Sequence, residues 1–237
     1  MAVGSKSITP AGVVEPATNR ASLPVEAGSR ISQEILTWGE ILIVFVLLEI
    51  VFWTPRSLLH SFLIAMAVGS AAWLGLRGRT REQLGFAWPA RAGTVSILAV
   101  GVVVAIAIPA FILVSGHSVP ANPDWPKFRN LWPYVIWALG QQFLLQSYFY
   151  VRFESLLGSR AAVIVSTALF AVLHLPNLQL TALTVVGGLF FTEMFRTYRS
   201  LYPLGIAHAL MGIAIAYSLP DTLMHHMRVG LSYWQFR

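Results

Sequence analysis

The chain has 237 residues, of which 56% are hydrophobic and only 11% charged, and its sixteen basic residues exceed its ten acidic ones for a net charge of +6. Soluble domains carry about 25% charged residues, and the mean hydropathy here is +0.67, so too little polar surface exists for a water-soluble fold and the chain is read as an integral membrane protein. It has no cysteine, which excludes disulfide frameworks, thiolate metal sites and cysteine nucleophiles.

The first 34 residues are rich in Gly, Pro, Ala and Ser, with scattered charges and no apolar run. Such a stretch cannot bury enough apolar surface to offset the entropy of ordering, so 1–34 is read as a disordered cytoplasmic tail. It lacks the charged-then-apolar order of a signal peptide. Seven apolar segments follow, at 35–53, 57–76, 94–115, 131–157, 161–177, 180–195 and 201–219. A helix crosses the hydrocarbon core in about 20 residues. The expected fold class is therefore an all-α polytopic membrane protein, with about seven transmembrane helices over 35–219. The fifth and sixth segments are short and joined by Asn177-Leu178-Gln179, which predicts a tight helical hairpin. No internal repeat or substrate-binding charge pair supports a transporter. From Pro220 onward the chain is too polar to span, and Trp234 and Phe236 suggest an interfacial tail over 220–237.

Eleven of the sixteen basic residues fall on the N-terminal side of the predicted topology, including the cluster Arg77, Arg79, Arg81 and Arg91. The positive-inside rule then places the N-terminus in the cytoplasm and, with seven spans, the C-terminus outside a bacterial-type inner or plasma membrane. The charges are spread over short loops, so they read as a topology signal meeting anionic lipid, not as a nucleic-acid surface.

The fourth segment carries the most informative residues. Leu139-Gly140-Gln141-Gln142-Phe143-Leu144-Leu145-Gln146 puts three primary amides within two helical turns. In lipid an unpaired amide costs roughly several kcal/mol, so such groups glue helices together or line a site. Gln142 and Gln146 are four apart and share a helical face, Gln141 is rotated about 100° from Gln142, and Tyr148 falls on the face of Gln141 two turns on. In the next segment Phe170 and His174 are four apart, and Pro176 in His174-Leu175-Pro176-Asn177 stops regular helix and frees backbone groups. The seventh contains Ala207-His208-Ala209-Leu210-Met211-Gly212. With the N-terminus inside, a cavity in the outer half of the membrane would let Gln141, His174 and His208 meet.

From 131 to 219 the chain resembles the CPBP intramembrane endopeptidases, which include CAAX prenyl endopeptidases and bacteriocin-processing relatives. Their pattern is Glu-Glu-x-x-x-Arg on one helix, Phe-x-x-x-His on the next, and His-x-x-x-Asn (or Asp) two helices later. Phe170 and His174 form an intact second element, and His208 begins the third. Gln141 and Gln142 stand where the family has its glutamates, Gln146 replaces the arginine, and Gly212 replaces the final Asn or Asp. The resemblance implies a helical core of the fourth to seventh segments and a site at Gln141, Gln142, Gln146, His174 and His208. In the family the first glutamate activates water, assisted by the second element's histidine, while the third element's His and Asn stabilise the oxyanion. A primary amide is no general base near neutral pH, so Gln141 cannot do the glutamate's work. Without the glutamates no buried negative charge remains for the arginine to neutralise, and Gln142 with Gln146 reads as a neutral replacement for an ion pair.

Other carboxylates and polar groups are weighed against that pattern. Glu49, at about the depth of the histidines, is a candidate substitute carboxylate, with pairing to a neighbouring polar group as the plainer reading. Glu40 is expected to snorkel or pair locally, Glu154 to form a local salt bridge beside Arg152, and Glu193 to pair with Arg196 at i,i+3. His60 and His117 are read as interface residues, His225-His226 as no metal site, and Asn177 as ending its helix or donating an amide near His174. Gly187-Gly188 suggests a close helix approach. No cofactor is required, and a divalent metal held by His174 and His208 is left open. The functional expectation is a CAAX-protease-like protein with altered chemistry, taking a peptide or isoprenoid-like substrate. The alternative is a pseudoenzyme that binds such a ligand as an assembly subunit beside a membrane-protein partner.

Overall fold

A computed structural model describes residues 23–116 and 131–235, with side chains from Gly28 onward. The chain divides after Leu36 into two compact units. The first holds the N-terminal turns of α1 (Leu23–Trp53), along which Ile31 and Ile35 are exposed. That helix start corrects the reading of 1–34 as irregular throughout. Residues 25–36 contain no proline and one glycine, and an established helix extends by one hydrogen bond per residue fixed. Residues 1–22, 117–130 (with His117), 236 and 237 lie outside the described residues.

The second unit, residues 37–237, holds α2 (Leu58–Leu76), α3 (Arg91–Val114), α4 (Trp132–Gln142), a π-helical segment (Phe143–Tyr150), α5 (Val151–Leu157), α6 (Ser159–Val172), α7 (Leu178–Tyr198) and α8 (Leu201–Ser218). The short helices α9 (Asp221–Met224) and α10 (Leu231–Trp234) follow. The protein is all-α and polytopic. Among the described residues, five helices (α1, α2, α3, α7 and α8) are long and apolar enough to cross a membrane. The fourth predicted span is one helical run whose middle is π-helical. The fifth is α6, whose 14 residues reach about 21 Å at 1.5 Å per residue, less than a hydrocarbon core.

Small residues set the helix spacing. At Gly101 an added Cβ would lie 2.8 Å from Ala207 Cβ, so α3 meets α8 almost backbone to backbone. At Gly205 it would fall onto Leu139, closing α4 on α8, and at Gly188 it would lie 3.0 Å from Thr167 Cγ2, closing the α6–α7 hairpin. Such close approach replaces the hydrophobic drive that lipid cannot supply between helices. Inside, Tyr148, Phe149, Tyr150, Phe153 and Phe195 are fully buried, while Leu58, Phe111, Val114 and Val186 point outward.

The buried charges are wired across helices. Arg152, only 1% exposed, donates from Nε and Nη2 to Glu40 Oε2 at 3.0 and 2.8 Å. It also donates to the carbonyls of Leu74 and Tyr148, at 2.7 and 3.2 Å. Glu40 therefore does not snorkel but bridges α1 to α5. Glu154 is not held by its sequence neighbour either; it pairs with Arg199 across helices and accepts from Tyr150 Oη. Glu193 does pair with Arg196 within α7.

Tyr148 also departs from expectation. Its hydroxyl donates to the Glu40 carbonyl at 2.7 Å, away from Gln141. A π turn carries one residue more than an α turn, so side chains along 143–150 lag behind the α-helical register that put Tyr148 on the face of Gln141. The C-terminal stretch is anchored to the helices. Met224 is buried, Asn177 Nδ2 donates to the carbonyls of Met224 and Arg228 at 2.8 and 3.2 Å, and Gly230 N–H donates to Leu175 O at 2.8 Å. Asn177 caps α7 by accepting from Leu180 N–H.

Candidate functional site

A cavity of about 220 Å³ opens between α4, α6, α7 and α8. Most of its wall is apolar, and its polar lining comes from Gln141, Tyr134, His174, His208 and Thr184. The break after α6 positions His174: its Nδ1 lies 2.7 Å from Phe170 O, and its ring packs edge-on against Phe170, four residues earlier, at 4.8 Å. A carbonyl oxygen only accepts, so Nδ1 carries the proton and Nε2 presents a lone pair. His208, on α8, stacks on Phe191 at 5.1 Å.

The three glutamines divide their roles. Gln146, fully buried, donates from Nε2 to Gln142 Oε1 at 3.2 Å. With its oxygen so engaged, the Gln142 amide meets His208 Nδ1 at 3.0 Å through Nε2. That contact holds the His208 ring through Nδ1. The two histidines thus differ in what they present: His174 turns a lone pair at Nε2 to the cavity, whereas His208 is tied to the amides of Gln142 and Gln146. Gln141 lines the cavity and makes no hydrogen bond to a described residue. Gln146 Oε1 is buried without a partner among the described residues.

Gly212 also lines the cavity, one turn beyond His208. A Cβ added there would fall on Tyr134 Oη and lie 2.9 Å from its Cζ. Tyr134 therefore fills the space that a longer side chain at 212 would need, and brings a hydroxyl to it. Sequence reasoning missed this residue. The signal was there, because Tyr134 precedes Gln141 by seven residues, two turns along one face of α4.

Glu49 does not line the cavity. Leu48 and Phe52 do, while Glu49 Oε2, one position round the helix, accepts from Trp53 Nε1 at 3.0 Å. His60 sits on the first turn of α2, outside the lining. His225 packs against Tyr233 and His226 pairs with Asp221 at 3.0 Å. Met227 and Val229 of the C-terminal stretch complete one wall of the cavity. Among the described residues no group of three or more His, Cys, Asp or Glu could hold a metal ion. His174 and His208 alone fall short of the three protein ligands usual for catalytic zinc, so the donor set does not fit a resident metal.

Residues 123–214 match the family model of the type II CAAX prenyl endopeptidase Rce1-like proteins. The matched stretch spans α4 to most of α8 and contains Gln141, Gln142, Gln146, His174, His208 and Gly212. No curated protein and no solved structure matches the chain.

Proposed function

The chain belongs, through residues 123–214, to the CPBP family of CAAX-type intramembrane proteins, and on that premise we propose that its cavity binds a peptide or isoprenoid-like ligand without glutamate-dependent hydrolysis. The observation that carries this reading is that, among the described residues, no carboxylate lines the cavity. The amide at 142 is committed to His208 and to Gln146, and an amide does not take a proton from water near neutral pH.

What remains suits recognition. The lone pair of His174 complements the N–H of an amide, Gln141 offers a donor and an acceptor, and the apolar wall accepts a lipid-like chain. The topology bias puts this cavity in the outer half of the membrane. The protein would then act as a binding or maturation subunit beside a membrane-protein partner.

One observation favours a second reading. His174 presents Nε2 as a lone pair, which is what a general base requires. A histidine-based hydrolase would use it to activate water, with the Phe170 carbonyl on Nδ1 orienting the ring.

Purified protein in lipid nanodiscs, given a fluorescent farnesylated C-terminal peptide, separates the two. Binding that is lost in His174→Ala and His208→Ala, with no cleavage by mass spectrometry in wild type, supports the binding reading. Cleavage by wild type that either substitution abolishes selects the hydrolase. Binding of the peptide undiminished by both substitutions overturns both.

A further inference from the structure

The loop 77–90 between α2 and α3 is a built element and not a slack tether. Thr80 and Gln83 exchange hydrogen bonds, Thr80 N–H to Gln83 Oε1 at 3.0 Å and Gln83 N–H to Thr80 Oγ1 at 3.3 Å. The buried Leu84 accepts at its carbonyl from Ser147 Oγ at 2.6 Å. Gly85 O accepts from Leu201 N–H at 2.9 Å, and Phe86 bridges to Ser200. Gly85 has φ +77°, and a Cβ there would lie 2.5 Å from Phe195 Cε2, so the loop is seated as tightly as glycine allows.

On this frame sit two guanidiniums, Arg79 and Arg81, with no hydrogen bond or ion pair to a described residue. Arg79 is half-buried, and burial, then the nearby charge of Arg152, pushes its guanidinium below its ordinary value. The carboxylates that act on it are already engaged, Glu40 by Arg152 and Glu154 by Arg199. Glu82 borders the adjoining cleft but is exposed, held chiefly by its own backbone and Thr80. A cation fixed in a partly desolvated position without a counterion is costly, whereas a topology signal alone needs only solvated arginines.

Arg79 and Arg81 open onto a hollow of about 520 Å³, shared with Tyr202 and with the apolar side chains of Leu76, Leu84 and Phe86. Its rim carries the marks of a boundary between water and hydrocarbon. Leu76 ends the apolar helix α2, Trp73 and Trp88 are exposed beside it, and Trp88 stacks on Tyr202 at 5.0 Å. Exposed tryptophans mark that depth.

We propose that this hollow holds the phosphate of an anionic membrane lipid, with Arg79 and Arg81 on the phosphate oxygens, the Tyr202 hydroxyl as a further donor, and Leu76 and Phe86 against the first carbons of the chains. The apolar half of the lining favours a lipid over free phosphate. The site is distinct from the histidine cavity, with which it shares no lining residue.

The test is native mass spectrometry of the full chain titrated with phosphatidylglycerol or phosphatidylcholine, comparing wild type, Arg79→Gln, Arg81→Gln and Arg160→Gln. Arg160 is an exposed arginine at the start of α6, outside the hollow. Wild type is expected to retain phosphatidylglycerol selectively. Each loop substitution should weaken it about tenfold, as loss of a charged hydrogen bond does, and Arg160→Gln should not. Retention unchanged in Arg79→Gln and Arg81→Gln overturns the site, and an equal loss in Arg160→Gln reduces it to diffuse charge attraction. Inorganic phosphate that displaces the lipid at equal concentration overturns the lipid assignment. Should Arg79→Gln fail to fold by thermal melt, Arg81→Gln decides alone.

Discussion

Gly212→Ala tests whether Tyr134 belongs to the cavity or merely stands beside it. The new methyl would fall on Tyr134 Oη and lie 2.9 Å from Cζ and 3.2 Å from Cε1. The backbone of α8 cannot retreat, because on its other side Gly101 and Ala207 already hold α3 near contact. Tyr134 must move instead, and the adjacent free space is the cavity of about 220 Å³. Overpacking costs typically 1–3 kcal/mol; since a ring swinging into open space relieves most of the clash, a value of about 1 kcal/mol is expected. The functional effect should be larger, because the displaced ring occupies the volume that a ligand needs. The expected outcome is a melting temperature lower by a few degrees and a loss of farnesyl-peptide binding of at least about tenfold, roughly 1.4 kcal/mol. Adding Tyr134→Leu should restore binding, giving strongly non-additive effects in a double-mutant cycle. Wild-type binding by Gly212→Ala, or additive effects of the two substitutions, would refute the reasoning.

Asn177→Ala removes an N-cap and two of the anchors of the C-terminal stretch; it should cost about 1–2 kcal/mol and expose Arg228 to trypsin, seen as faster limited proteolysis. Glu40→Gln leaves Arg152, only 1% exposed, without its counterion. Removing one partner of a buried pair costs about 3–5 kcal/mol, and the part-exposure of Glu40 puts the expected loss near the lower bound, read as a fall in melting temperature. Gly85→Ala combines a left-handed φ with a clash against Phe195, so it should destabilise by about 2 kcal/mol and lower phosphatidylglycerol retention by loosening the loop that carries Arg79.

What the sequence made legible follows the range of the forces involved. Hydropathy is local, so the apolar segments and the α6–α7 hairpin could be read from runs of apolar residues, but not that α6 would fall short of a full span. The amide and histidine positions were legible because spacing on a helix face is also local: Gln142 with Gln146 at i,i+4, and Phe170 with His174. Long-range pairing was not. Nothing near Glu154 in the chain points to Arg199, and nothing near Glu40 points to Arg152, more than a hundred residues away. The π-helical segment escaped for a different reason. Its eight residues, Phe143 to Tyr150, are apolar and aromatic side chains with Gln146 and Ser147 among them, a composition that an ordinary α-helix also carries. That register shift sent Tyr148 to Glu40 and left Tyr134, on the regular α-helical part, as a hydroxyl of the cavity.

The departures from the family pattern are physically coupled, and that coupling bears on whether the site has decayed. Glu→Gln changes at both 141 and 142 would leave the arginine expected at 146 as an unneutralised buried cation, costly enough to threaten folding. Gln146 removes that charge and binds Gln142 through its amide, which in turn meets His208. Loss of the side chain at 212 would likewise leave a void beside His208, yet Tyr134 occupies it with another polar group. Random drift has no reason to keep both histidines lining the cavity, link two of the new amides to His208 through one chain of hydrogen bonds, and refill the space at Gly212. Restoring Gln141→Glu, Gln142→Glu, Gln146→Arg and Gly212→Asn together would therefore not recreate a family-type site, because the new Asn would meet Tyr134. The neutral set behaves as a unit, as a cavity kept for binding would require.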